Sequence, residues 1–214
     1  MTRTRIKICG LTRVADVTAA VEAGADAVGF VCYPASPRFV PPDVLPDLAD
    51  ALPAFVTPVL LFVNAGTAAV ESALARVPNA LLQFHGDETA ADCERFGRPY
   101  IRAVRFDRSN DLLDCERTFA TARALLVDAP AAGYGGGGVA FDWSLLPTAA
   151  ARDKALILAG GLDEANVARA VQRVRPFAVD VSSGVERAPG VKSAERIRRF
   201  VAAVRAADAG IENA

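Results

Sequence analysis

The chain has 214 residues, 52% of them hydrophobic and 23% charged, with a formal net charge of -1. That suffices for one domain with a substantial core and is short for two. It argues against a disordered chain and gives no electrostatic case for nucleic acid or an anionic membrane as partner. No apolar run approaches the roughly 18 residues of a membrane span, and Met1-Thr2-Arg3-Thr4-Arg5 leads directly into a strand-like segment rather than a signal peptide's apolar region. Cys9, Cys32, Cys93 and Cys115 are spaced neither as a disulfide framework nor as a zinc site, so a reducing cytoplasm is the expected compartment.

Eight short apolar runs recur, at residues 5–9, 27–31, 56–62, 80–84, 100–104, 124–128, 155–159 and 177–181. Each is followed by an alanine-rich stretch. The repeat is about 27 residues, close to the minimum for a strand, a helix and two short turns. Val59-Leu60-Leu61-Phe62-Val63 and Ala124-Leu125-Leu126-Val127 are almost continuously apolar, as expected of parallel strands buried on both faces. Residues 16–23 carry Val17, Ala20 and Val21 at helical spacing and end at Gly24; residues 65–77 and 164–174 read as helices with Pro78 and Pro176 just beyond them. Alternating strand and helix predicts an α/β fold with right-handed crossovers. Eight units favour a single (β/α)8 TIM barrel over residues 1–214 rather than an open flavodoxin-like or Rossmann sheet. Gly135-Gly136-Gly137-Gly138 reads as one loop within it.

In such a barrel the chemistry lies at the C-terminal ends of the strands. The residues at those ends are Cys9, Arg38, Asn64, His85, Arg102 with Arg105, Asp128, Gly160-Gly161, and Asp180-Val181-Ser182-Ser183-Gly184. Bare backbone at Gly160 and Gly161 lets N–H groups approach an anion, and Ser182, Ser183 and Gly184 add hydroxyls and further N–H groups on the next strand. Loops after strands 7 and 8 are the usual phosphate grip of such barrels; glycine in a tight turn is the plainer reading. Strand alternation points Lys7 the same way as Cys9, one layer deeper, where a cation would favour the thiolate. Alternatively, Lys7 pairs with an interior carboxylate such as Asp180. Asp128, after four apolar residues, suits an acid of raised pKa or a cap on its loop. A thiol and a carboxylic acid across a phosphate site suit proton shuffling on a sugar phosphate. The single histidine, His85, has no evident partner ligands, so neither metal nor other cofactor is expected. The expected partner is a small phosphorylated substrate, met by a monomer or a homodimer.

These residues fall in stretches that resemble the phosphoribosylanthranilate isomerases of tryptophan biosynthesis. They are Lys7-Ile8-Cys9-Gly10-Leu11-Thr12, Gly24-Ala25-Asp26-Ala27-Val28-Gly29-Phe30, Ser36-Pro37-Arg38, Gln83-Phe84-His85-Gly86-Asp87-Glu88, Phe141-Asp142-Trp143, Leu158-Ala159-Gly160-Gly161-Leu162 and Asp180-Val181-Ser182-Ser183-Gly184-Val185-Glu186. The resemblance implies an Amadori rearrangement of N-(5-phosphoribosyl)anthranilate. It assigns Asp128 as the acid that opens the furanose ring and Cys9 as the base at C2′. Arg38 would meet the anthranilate carboxylate, and His85 and Asp180 would line the substrate site. In the family the loop after Asp128 usually reads Gly-Gly-Thr-Gly and then a basic residue; here Gly135-Gly136-Gly137-Gly138 precedes Val139, without the hydroxyl or the charge. Indole-glycerol-phosphate synthase would want a catalytic lysine, and the bifunctional histidine–tryptophan isomerase a second phosphate grip and an aspartate on strand 1. A catalytically dead phosphate-binding barrel is disfavoured by the joint presence of Cys9 and Asp128.

Overall fold

Each apolar run forms a strand. In the computed structural model, which describes residues 3–106, 111–129 and 142–212, these are β1 (Arg5–Cys9), β2 (Ala27–Val31), β3 (Thr57–Phe62), β4 (Leu81–Phe84), β5 (Tyr100–Arg105), β6 (Ala124–Asp128), β7 (Ala155–Leu158) and β8 (Ala178–Val181). All neighbours pair in parallel, and β8 pairs back onto β1, closing the barrel in chain order. The helices between them are α1 (Val14–Ala23), α2 (Leu45–Asp50), α3 (Thr67–Arg76), α4 (Ala90–Glu94), α5 (Leu112–Thr118) and α6 (Val167–Val174), with α7 (Ala194–Glu212) after β8.

The continuous apolar character of the strands follows from two packed surfaces. Outward residues such as Ile6, Phe30, Leu60 and Leu125 meet helix residues including Val17, Val70, Val171 and Phe200. Inward residues Ile101, Ala103, Leu126, Ile157 and Ala178 fill the barrel itself. Both sides are buried, so neither face of a strand tolerates a polar residue without a partner. Lys7 on β1 and Asp180 on β8 are inward-facing exceptions, and they stand opposite each other in register.

Three details depart from the sequence expectation. The helix anticipated from residue 164 begins at Val167, because Asp163 and Asn166 form their own turn. Asp163 Oδ1 accepts from the amides of Ala165 and Asn166, and Asn166 Oδ1 accepts from that of Asp163, so the backbone there is satisfied without a helix. Between β6 and β7 the described residues contain only short 3-10 turns, Trp143–Leu145 and Ala149–Ala151, in place of an α-helix; Gly135, Gly136, Gly137 and Gly138 lie outside the described residues. After β8 a 3-10 turn, Ser183–Val185, leads into an unanticipated antiparallel pair, β9 (Glu186–Ala188) and β10 (Val191–Lys192).

Leu126 is fully buried in the barrel interior. Leu126→Ala is expected to destabilise the fold by about 2–5 kcal/mol, the usual range for a leucine deleted from a packed core, read as a shift in the urea midpoint. A loss below about 1 kcal/mol would mean that the interior collapses around the void.

Candidate active site

The C-terminal ends of the strands open onto a cavity of about 470 Å³. Its lining includes Cys9, Arg38, His85, Asp128, Gly160, Gly161, Asp180, Ser182 and Ser183, so nine of the ten sequence-predicted site residues share one space. Gly184 is the tenth. It packs against the loop after β7, where a Cβ would lie 2.0 Å from the Leu162 carbonyl oxygen. Its lack of a side chain is therefore required by contact between the two loops. Asn64 and Arg102 also fall outside the lining. Arg102 faces outward from the barrel, donating to Glu88 Oε2 at 2.8 Å and to the Gly86 carbonyl at 2.8 Å. Asn64 Oδ1 accepts from the Asp87 amide at 2.7 Å. Both hold the turn after β4.

Cys9 ends β1 with its sulfur against β2. A Cβ on Gly29 would stand 2.7 Å from Cys9 Sγ and 3.1 Å from Lys7 Nζ, so only glycine leaves room for the thiol. Lys7 Nζ donates to Asp180 Oδ1 at 2.9 Å, and both side chains are buried. Burial works against the Lys7 charge, but Asp180 and Cys9 outweigh it and hold Lys7 above the usual lysine range. Lys7 acts towards the thiolate, as a neighbouring cation should, but it is also bonded to Asp180, the partner that the sequence offers as the alternative. Burial pushes the Cys9 thiol above its usual range, and Lys7 offsets only part of that because Asp180 adds to the rise.

Asp128 ends β6. Its Oδ1 accepts from the Ala129 amide at 2.9 Å, and its Oδ2 lies 3.3 Å from His85 Nε2, an ion-pair distance without well-aligned hydrogen-bond geometry. Gly160 passes directly over this carboxylate. It has φ +80, and a Cβ there would come within 2.3 Å of the Ala129 nitrogen; Gly161 follows at φ +63. The left-handed backbone therefore belongs to the packing of Asp128 as well as to any anion.

Arg38, on the long loop after β2, is held by Glu186, to which the sequence reading gives no site role. Its Nε and Nη2 donate to the two oxygens of Glu186, each at 2.8 Å, which leaves Nη1 for a ligand. Glu186 Oε1 also accepts from Lys192 Nζ at 2.8 Å, and that ammonium donates to the Ser182 carbonyl at 3.1 Å. Burial tends to raise the Glu186 carboxyl, but its bonds to Arg38 and Lys192 prevail and hold it below the usual range. Burial pulls Lys192 below its usual range despite Glu186. Glu186 had a signal, as the last residue of a matched stretch. Lys192 had none, because only the hairpin of β9 and β10 brings it under Ser182. Among the described residues no cluster of His, Cys, Asp and Glu could hold a metal ion.

The chain matches the family model described as N-(5′-phosphoribosyl)anthranilate (PRA) isomerase over residues 6–203. It is 59% identical to the N-(5′-phosphoribosyl)anthranilate isomerase of Leptothrix cholodnii, over 97% of this chain and 93% of the relative. With that of Methylibium petroleiphilum it shares 58% identity, over 98% and 97%. The crystal structure of phosphoribosyl anthranilate isomerase from Thermotoga maritima superposes with a TM-score of 0.86 at 38% identity, covering 95% of this chain and 99% of that one. A phosphoribosyl anthranilate isomerase in complex with reduced 1-(o-carboxyphenylamino)-1-deoxyribulose 5-phosphate gives 0.83 at 36% identity, with the same coverage.

Glu186→Ala would leave the Lys192 ammonium buried without its carboxylate, and a loss of about 3–5 kcal/mol is expected in urea denaturation at neutral pH. A loss under about 1 kcal/mol would mean that Arg38 and Lys192 find other partners. The pH dependence has a definite sign. The folded Glu186 titrates below its unfolded value of 4.5, so its stabilisation is full above that pH and disappears as pH falls through the folded value. The stability gap between the native protein and Glu186→Gln should therefore close in acid. A gap that widened there would contradict the assignment.

Proposed function

The chain belongs to the N-(5′-phosphoribosyl)anthranilate isomerase family, and from that premise we propose that Asp128 and Cys9 are the acid and the base of its reaction. The enzyme catalyses the Amadori rearrangement of N-(5-phosphoribosyl)anthranilate to 1-(o-carboxyphenylamino)-1-deoxyribulose 5-phosphate in tryptophan biosynthesis. The observation that carries the assignment is the shared cavity, with a thiol on β1, a carboxyl on β6, and glycine and serine turns after β7 and β8.

In this reading the phosphate rests on the turns of Gly160, Gly161, Ser182 and Ser183. Lys192 lies behind them, bonded to Ser182 and fully covered. It supplies positive potential there without touching the ligand. The anthranilate ring lies on the apolar wall of Val31, Leu61 and Val63, which packs beside Cys9. Its carboxylate meets Arg38, whose fork is already oriented by Glu186. Asp180, bonded to Lys7, stands at the cavity floor within reach of the sugar.

The protonated Asp128 donates its proton to the furanose ring oxygen. The C1′–O bond breaks towards that oxygen, and the nitrogen lone pair forms the C1′=N Schiff base. The Cys9 thiolate removes the proton from C2′. The C–H electrons become a C1′=C2′ bond, and the C=N pair returns to nitrogen. The resulting enolamine tautomerises to the C2′ ketone. One proton has left Asp128 and one has reached Cys9. A cytoplasmic site of action is part of the proposal, supported by the four free thiols.

Cys9→Ser and Asp128→Asn should each lower kcat by about 10²–10⁴-fold with the fold intact, measured as the fluorescence decay of added phosphoribosylanthranilate. Near-native turnover in both would overturn the assignment. A base must be deprotonated to act, and burial holds Cys9 above the ordinary thiol value. In the native enzyme kcat/KM should therefore keep rising with pH into the alkaline range. A profile already flat at neutrality would show that another group is the base.

A further inference from the structure

Gln83 is a fully buried amide on the inner face of β4. Its register partners are Leu61 on β3 and Ile101 on β5, so its lateral neighbours are apolar. Among the described residues its Oε1 is buried without a hydrogen-bond partner. Its Nε2 lies 3.1 Å from His85 Nδ1, two residues further along the same face. A buried amide oxygen without a partner is costly. Leucine or methionine would fill the space without that penalty. The contact that the amide does make is therefore the place to look for its use.

The contact bears on where the imidazole carries its proton. With the amide nitrogen turned to the ring, Nδ1 would present its lone pair to Gln83, and the proton of a neutral ring would sit on Nε2. Among the described residues Nε2 makes no hydrogen bond, but it lies 3.3 Å from Asp128 Oδ2, so what it offers the carboxyl is an N–H dipole at contact distance, while Oδ1 is bound by the Ala129 amide. We propose that Gln83 is a positioning residue of the isomerase: through His85 it presents a neutral N–H to Asp128. This rests on Asp128 being the acid. A neutral donor orients the carboxyl and still lets it regain its proton. An imidazolium would hold it ionised, and a bare lone pair would turn it away when ionised.

The turn after His85 is clamped for the same geometry. Glu88 accepts from the Gly86 amide at 2.8 Å and from Arg102 at 2.8 Å. The charges around the pair are Arg105, the register partner of Asp128 on β5, and Glu88 with Arg102 behind the turn. Cys9, Asp180 and Arg38 line the cavity with it, and Lys7 lies beneath them.

His85 is the single histidine of the chain, so its two ring nitrogens can be read by ¹⁵N NMR without ambiguity. The native enzyme should show an unprotonated Nδ1 and a protonated Nε2 at neutral pH. Gln83→Met keeps the volume and removes the unpaired oxygen, so its thermal stability should equal or exceed the native value. Its ring should lose the single tautomer, and kcat should fall about tenfold with KM changed less than about threefold. Gln83→Glu should make the ring an imidazolium and lower kcat at least as far. A native ring protonated on Nδ1 would overturn the proposal, as would Gln83→Met with native kcat. Native turnover in Asp128→Asn would instead remove the acid assignment while leaving the measured tautomer intact, so the two failures are distinguishable.

Discussion

Lys7 and Asp180 meet where the first strand pairs with the last. Closing the barrel places them opposite one another, both inward and both buried. Neither charge tolerates that environment alone, and together they form a bonded pair at 2.9 Å. The layer above the pair lines the cavity. Cys9 follows Lys7 by two residues on β1, and Ser182 lies just beyond the end of β8, so the thiol and the serine turn stand at the ends of adjacent strands. The same pair also shapes the chemistry of Cys9, because a Lys7 already bonded to a carboxylate relieves the buried thiol only in part.

A second polar strap ties two sides of the cavity together. Arg38 comes from the loop after β2 and Ser182 from the end of β8. Both are held through Glu186, directly in one case and through Lys192 in the other. The buried charges Lys7, Asp180, Glu186 and Lys192 are paired, and the apolar cluster of β5 to β8 beneath contains none of them. A rigid apolar barrel with a polar rim holds reacting groups in place with little rearrangement, which is what electrostatic preorganisation requires.

The strands were legible because each is buried on both faces and its run of apolar residues cannot be mistaken for a half-exposed element. Several ends moved by one residue: β3 begins at Thr57 rather than residue 56, and β5 extends to Arg105. Hydrogen bonding to a neighbouring strand sets those limits, and a single strand's sequence does not record its neighbour. The start of α6 was misplaced because Asp163 and Asn166 satisfy their own backbone. That Cys9, Asp128 and the glycine and serine turns gather at one mouth was legible because they terminate strands.

The amino-acid sequence by itself determined the eight-fold alternation, the strand ends that gather around the cavity, and the family to which their motifs point. Each of these is local, written in periodicity and in short motifs. Only the tertiary structure decided which groups touch. Gly29 is required by a sulfur on the next strand, Lys192 reaches Ser182 through a hairpin, and His85 meets Asp128 from two strands away. Partnership between side chains far apart in sequence depends on barrel closure and register, and no local pattern encodes the distance between them.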